Sequence, residues 1–133
     1  MIRSVCYRLR EAASPTGSIS LIVPNRQSAT SIAFRRYWLH LDLPRHLYHF
    51  RPQDVTALAR YAGLDVRFVR HTASPSGFFG SIDCVAAGLA WPNATKLRSR
   101  TTLRALGRFA AWPFARLGFG DIVEYGLMHM ETA

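Results

Sequence analysis

The sequence contains little cysteine, almost no lysine and no long apolar run, and each shortage excludes a class of protein. Among its 133 residues only Cys6 and Cys84 are cysteines, and they form neither a CxxC pair nor a set spaced to bind a metal. Two cysteines in a chain this long are not a disulfide framework, so we expect both to be reduced in a cytoplasmic protein. No run without a charged residue approaches the ~20 residues of a membrane span, and the N-terminus lacks the apolar core of a secretory signal.

The charge that is present is mostly arginine, and the excess of basic residues lies in residues 1–50 and in one late block. Seventeen basic and eight acidic residues give a net charge of +9, and Lys96 is the only lysine. Residues 91–120 contain six basic residues and no acidic one. This excess suits an anionic partner, although it carries no information about the fold. Nucleic acid is the less favoured partner, because the sequence has no recognisable nucleic-acid-binding motif and no basic block interleaved with aromatic residues.

Hydrophobic residues make up 49% of the chain, enough to form a buried core, and their spacing changes between helix and strand periods. Proline, glycine and asparagine separate the segments, since these residues favour turns. The predicted elements are a helix over Ile2–Ala13, a turn at Ser14–Gly17, a strand over Ser18–Val23, a helix from Pro52 to Gly63, a strand over Leu64–Val69, helices over 78–91 and 97–117, and a strand over 122–130. Strands that alternate with helices favour an α/β fold with a partly parallel sheet.

Parts of this pattern predict which residues are buried. The uninterrupted Leu-Ile-Val at 21–23 is typical of a strand buried on both faces, as in a parallel sheet. The following strand alternates instead, which predicts Leu64, Val66 and Phe68 on one face and polar residues on the other. Residues 26–50 have no clear period, so we predict an irregular loop, and this loop is rich in aromatic residues and histidine.

Four segments resemble, in the same order, parts of the class I S-adenosylmethionine (SAM)-dependent methyltransferases. PTGSISLIVPN at 15–25 is similar to the family's segment around the fifth strand, and YWLHLDLPRHLYHF at 37–50 to the loop after it. RPQDVTALARYAGLDVRFVR at 51–70 is similar to the next helix and strand, and LGFGDIVEYGLMHM at 117–130 to the closing strand. The PRHLYHF string is the most specific match, and it indicates a bacterial subgroup related to the type 11, type 12 and ubiquinone-biosynthesis methyltransferases.

The resemblance implies that residues 1–133 are the C-terminal part of a Rossmann-like methyltransferase domain. The implied sheet has three strands, the last of them antiparallel between the other two, with flanking helices. The implied regions are a turn and fifth strand at 14–25, an acceptor-side loop at 26–50, a helix and strand at 51–70, a helical insert at 77–117 and a final strand at 121–130.

The cofactor-binding half of that family precedes this region. That half contains a Gly-rich turn after the first strand and an acidic residue that binds the ribose, and neither has a counterpart in the sequence. The missing half would be roughly 100–130 residues long. SAM is the cofactor of the intact family, and we expect the chain alone neither to bind it nor to transfer a methyl group. The strand over 18–23 would lack a neighbour, which leaves an edge for an N-terminal half or for a second copy of the chain.

The resemblance also places the acceptor pocket beside the loop over 26–50. We predict His46 and His49 as candidate catalytic bases, because histidine exchanges protons near neutral pH. The acceptor would be a small-molecule or lipid-like compound. The candidate substrate-binding residues are Asn25, Trp38, Arg45 and Tyr48, of which the arginine suits an anionic group.

A structural interpretation of these residues stays open. The PRHLYHF segment can brace the following helix, Asn25 can be a simple turn residue, and Trp38 can belong to the core. No metal is expected, because Asp42 is the only carboxylate near the histidines and zinc needs three or four protein ligands.

The basic helix predicted over 97–117 leads to a second functional hypothesis. Arg100, Arg104 and Arg108 recur at helical spacing on one face, and bulky apolar residues lie opposite. A helix of this kind can lie in the interface of an anionic membrane. The alternative to methyl transfer is therefore a non-catalytic basic module that binds a membrane or a partner chain through 96–117. A solvated arginine face on an ordinary docking helix is the structural interpretation.

Overall fold

The structure, a computed structural model, describes residues 2–14, 16–88 and 112–130, and they confirm a mixed α/β fold. The helices are α1 (Ile2–Ala12), α2 (Ala29–Phe34), α3 (Pro52–Tyr61) and α4 (Pro75–Gly88), with 3-10 turns at Arg35–Tyr37 and Leu39–Leu41. The strands are β1 (Ser18–Pro24), β2 (Leu64–Thr72) and β3 (Ile122–His129). Most of the helix predicted over 97–117, with Arg100, Arg104 and Arg108, lies outside the described residues. Within them, no helix has both the length and the apolar character needed to cross a bilayer.

The three described strands form one sheet in the order β1-β3-β2, with β3 antiparallel to both neighbours. This order confirms the prediction that the last strand lies antiparallel between the other two. The expected parallel pairing is wrong for these strands, because β1 and β2 run in the same direction but are separated by β3. Their carboxyl ends therefore lie at the same edge of the sheet, where Pro24 and Thr72 both pair with Ile122.

One face of the sheet carries the hydrophobic core, and α3 packs against it. Alternate residues of β1 join this core, whereas Ile22 is 63% exposed. The prediction that 21–23 is buried on both faces is therefore wrong, because the core covers one face only, as is common in antiparallel sheets. The buried residues of the core cluster are Val55, Ala59, Leu64, Val123, Tyr125 and Leu127.

The strand β2 changes face part-way along its length. Val66 pairs with Leu127 and Phe68 with Gly126, so Arg67 is the extra residue of a β-bulge. The bulge moves Phe68 to the face opposite Val66, which corrects the predicted alternation. The Phe68 ring fits on this face because the residue paired with it on β3 is Gly126. A Cβ at position 126 would clash with the ring.

The helix α3 begins and ends where the local sequence predicts. The backbone N–H of Arg51 donates to Asp54 Oδ2 at 3.0 Å, and its guanidinium donates to the same carboxylate. Pro52 occupies the first turn, where a missing N–H is not needed. Gly63 follows the helix with φ of 76°, a conformation that glycine adopts without strain. The chain then enters β2 directly.

Within 26–50, residues 29–41 are mostly helical instead of the irregular loop that the absence of a period predicted, whereas residues 42–49 contain no helix or strand. Ser28 caps α2, because its hydroxyl accepts the backbone N–H of Ser31 at 3.0 Å, and two 3-10 turns follow. These elements are six residues or fewer, too short for a helical period to be visible. They pack against α4, where Gly80 lets Leu39 approach the helix closely.

Candidate functional site

A polar cluster lies at the edge of the sheet where β1 and β2 end and β3 begins. Asn25 follows β1, Ser74 follows β2, and Asp121 precedes β3. Ligand sites in open α/β sheets lie outside the carboxyl ends of the strands. This edge is therefore the candidate functional site.

Asn25 is buried at this edge and bonded on both sides of its amide. Its Nδ2 donates to the carbonyl oxygen of Gly120 at 2.9 Å and to that of Gly118 at 3.5 Å. Its Oδ1 accepts the backbone N–H of Gln27 at 2.9 Å. These contacts hold the end of β1 against the turn that leads into β3, which is the role of a structural brace.

Asp121 joins three segments of the chain. Its side chain is 4% exposed and accepts hydrogen bonds from the hydroxyls of Thr30 and Ser28 and from the backbone N–H of Ser74. The carboxyl thus connects the start of β3 to the start of α2 and to the loop before α4. Burial raises the pKa of the Asp121 carboxyl above its usual value, while these hydrogen bonds and the nearby His40 partly oppose the shift.

His40 is the titratable neighbour of Asp121. Both side chains come close to Gly77 in the first turn of α4. A Cβ at this position would clash with Asp121 Oδ2 and would lie 3.2 Å from His40 Nε2, so the absence of a side chain at Gly77 makes room for both groups. Burial lowers the pKa of His40, and the charge of Asp121 partly opposes this shift. His40 Nε2 is buried and has no hydrogen-bond partner, although most buried polar atoms in proteins are paired.

An aromatic cluster of Trp38, His40, His46 and His49 extends from this pair. The ring centroid of Trp38 lies 5.6 Å from that of His40 and 5.7 Å from that of His49, and the His46 and His49 rings are 6.4 Å apart. Trp38 is only 3% exposed, and its Nε1 and His46 Nδ1 are also buried and form no hydrogen bond. His46 Nδ1 lies 4.0 Å from Asp42 Oδ2. His49 Nε2 lies 3.1 Å from the carbonyl oxygens of His40 and Leu41. This nitrogen therefore carries a proton and donates it.

Arg45 and Tyr48 lie on the surface of the same segment. Arg45 Nε is 3.2 Å from Asp42 Oδ2, and most of the arginine side chain is exposed. Tyr48 is exposed and stacks on Phe50 with ring centroids 6.3 Å apart. These two residues can meet a molecule that approaches from solvent, but they do not line the buried cluster.

The structure thus groups three of the predicted site residues, Trp38, His46 and His49. The sequence pattern singled out neither His40 nor Asp121. The available signal was position, because Asp121 is an acid placed directly before an apolar strand and after Gly-Phe-Gly. A carboxylate at the start of a buried strand is a candidate for a buried, hydrogen-bonded role.

The residues at this edge do not fit SAM. The only Gly-x-Gly of the sequence, Gly118–Gly120, leads into β3 instead of following a strand, and its carbonyls accept hydrogen bonds from Asn25. A cofactor turn needs glycines between a strand and a helix, with backbone N–H groups free for the ligand. Within the described ranges, no three His, Cys, Asp or Glu side chains are grouped to hold a metal ion. Comparison with protein-family models and with curated protein sequences finds no match to this chain.

Proposed function

We propose that the chain is the acceptor-side portion of a class I SAM-dependent methyltransferase, which acts on a small-molecule or lipid-like acceptor. The observation that carries the proposal is the position of the buried Asp121–His40 pair at the carboxyl ends of β1 and β2, where α/β folds bind ligands. The placement of β3 between those strands agrees with the order that the resemblance implies.

In this proposal His40, rather than His46 or His49, is the residue that accepts the proton. Its Nε2 has no partner, whereas His49 Nε2 donates to backbone carbonyls. Burial lowers the pKa of His40, so the neutral imidazole is ready to accept a proton near neutral pH. Asp121 is a positioning residue whose negative charge would stabilise the imidazolium.

The same atoms favour an acceptor that carries a hydroxyl group. Trp38 Nε1 can only donate a hydrogen bond, and neutral His40 can accept one. A hydroxyl group can accept one hydrogen bond and donate another, so it can pair with either of these unpartnered nitrogens. In this proposal the binding site for the methyl donor lies outside the described residues, because those at the sheet edge do not fit SAM.

The first test is the coding DNA upstream of the Met1 codon, about 400 nucleotides at three per missing residue. The proposal predicts that some frame there encodes a strand, a Gly-rich turn and a later acidic residue. The 133-residue chain should transfer no label from methyl-labelled SAM to a lipid and small-molecule extract, and the joined protein should do so. Unrelated upstream DNA together with an inactive chain would refute the proposal.

The role of His40 is tested separately in the joined protein. His40→Gln should lower kcat by about 10²–10⁴-fold with little change in KM, which is the usual contribution of a general base. His49→Gln is the matched control, and we expect a much smaller effect. If the two variants behave in the opposite way, the methyltransferase proposal survives and the assignment of the base to His40 is wrong.

A further inference from the structure

Large apolar side chains are exposed in the segment that leads into β3. Leu117 is 71% exposed and Trp112 is 56% exposed, and Phe114 and Phe119 are exposed as well. We call these four residues and Arg116 the 112–119 surface. Four exposed large apolar side chains within eight consecutive residues make this segment a candidate interaction site.

The 112–119 surface is held by backbone hydrogen bonds. The N–H of Leu117 donates to the carbonyl of Pro113 at 3.0 Å, and the N–H of Phe119 donates to that of Phe114 at 2.7 Å. The carbonyl of Phe119 accepts the N–H of Ala29 at 3.1 Å, so the turn is anchored to the start of α2. The apolar side chains are therefore displayed to solvent on a helical segment at 112–116 and the anchored turn after it, where burying them costs little further ordering of the backbone.

The part of the sequence that contains this surface is basic. The guanidinium carbon of Arg116 lies 4.3 Å from the centroid of the Trp112 ring, and residues 91–120 contain six basic residues and no acidic one. Tryptophan favours the membrane–water interface, and clustered arginine next to apolar side chains favours anionic headgroups. We propose that the 112–119 surface docks on an anionic lipid bilayer. The tryptophan, phenylalanine and leucine side chains enter the headgroup region, and the arginines contact lipid phosphates.

Other occupants explain these features less well. Nucleic-acid bases stack on aromatic rings, but the most exposed residue of the surface is Leu117, which offers no face for stacking. A second copy of the chain would bring two positively charged surfaces together, which is unfavourable at moderate salt. The inference does not depend on the proposed methyltransferase function.

The test uses the full 133-residue chain and sedimentation with two kinds of vesicle. We expect binding to phosphatidylcholine vesicles that contain phosphatidylglycerol, weakening as salt is raised, and little binding to vesicles of phosphatidylcholine alone. The double variant Trp112→Ser, Leu117→Ser should lower partitioning about tenfold. Ile22→Ser is the matched control, because Ile22 is equally apolar, is 63% exposed and lies on β1, and it should change nothing.

A second readout places Trp112 itself in the bilayer. Brominated lipid should quench part of the tryptophan fluorescence of the wild type, and Trp112→Phe should remove that quenched part. Unchanged quenching in this variant overturns the inference, as does an equal loss of binding in Ile22→Ser. Binding to a single-stranded oligonucleotide without binding to anionic vesicles overturns it in favour of a nucleic-acid partner. All these substitutions are at exposed positions, so the fold should be retained, and far-UV circular dichroism checks this.

Discussion

Asp121 offers the sharpest test of the structure, because its carboxyl joins segments that are far apart in the sequence. Replacing it by alanine removes the acceptor of the Ser74 N–H and of the Thr30 and Ser28 hydroxyls. The two hydroxyls are 3.1 Å apart and can still bond to each other, whereas the backbone N–H is left without a partner. Since a buried donor without a partner costs about 1–3 kcal/mol and the lost hydrogen bonds add to this, we expect Asp121→Ala to destabilise the fold by about 2–4 kcal/mol.

Asparagine at the same position separates hydrogen bonding from charge. Asp121→Asn keeps an oxygen that can accept a hydrogen bond from Thr30, so it should cost less stability than alanine, about 0.5–1.5 kcal/mol.

The pH dependence of stability should change as well. Burial raises the pKa of Asp121 above its usual 3.8, so the native state binds this proton more tightly than the unfolded state. The contribution of Asp121 to wild-type stability therefore falls as pH rises through 3.8 toward the raised value, and Asp121→Asn should remove that fall.

Urea unfolding followed by tryptophan fluorescence measures both effects, since Trp38 is a buried probe next to the site. The matched control is Asp65→Ala, which removes a half-exposed carboxylate 3.6 Å from Arg67 and should cost less than about 0.5 kcal/mol. The reasoning is refuted if Asp121→Ala shifts the urea midpoint no more than Asp65→Ala does. Such a result would mean that the contacts of Asp121 add nothing to the cohesion of this edge.

Three further predictions follow from other parts of the fold. Gly126→Val should destabilise the fold by about 1–3 kcal/mol, because the new side chain clashes with the Phe68 ring. Thermal unfolding should show that adding Phe68→Ala recovers part of the lost stability, and no recovery would contradict the proposed clash. Burial lowers the pKa of both His40 and His71, so stability should rise as pH increases through the window below their usual value of 6.5; His40→Gln should flatten part of this rise in urea titrations at several pH values, and an unchanged slope would contradict the burial of His40. Burial also raises the pKa of Tyr125 to about 12, so Tyr125→Phe should remove the last component of the alkaline tyrosinate absorbance titration, and loss of an earlier component instead would contradict this assignment.

The elements that could be predicted carry their own start and stop signals. For α3 these are the Arg51–Asp54 pair, Pro52 in the first turn and Gly63 after the last, and all of them act within a few residues of the helix ends. The position of β3 between its neighbours was expected from the resemblance, and the paired strands confirm it. The sequence drew attention to only part of the candidate site, because histidines and aromatic residues are concentrated at 26–50, and it did not indicate Asp121.

What could not be predicted depends on contacts between distant residues. The sequence shows three apolar residues at 21–23, but only the packing of α3 on one face of the sheet leaves Ile22 exposed. In the same way, the bulge at Arg67 exists because β2 pairs with β3, and it decides the face on which Phe68 lies. A period read along one strand contains no information about its partner's register.

The sequence by itself determined the helix and strand segments with strong local signals, the positive charge and the histidine-rich region. The tertiary structure decided that His40, rather than His46 or His49, lies beside a buried carboxyl, because the segment before α3 packs over α4 and meets the start of β3 there. Burial then shifts the pKa values of both groups. Burial and juxtaposition arise only when the chain is folded, so no local pattern encodes them.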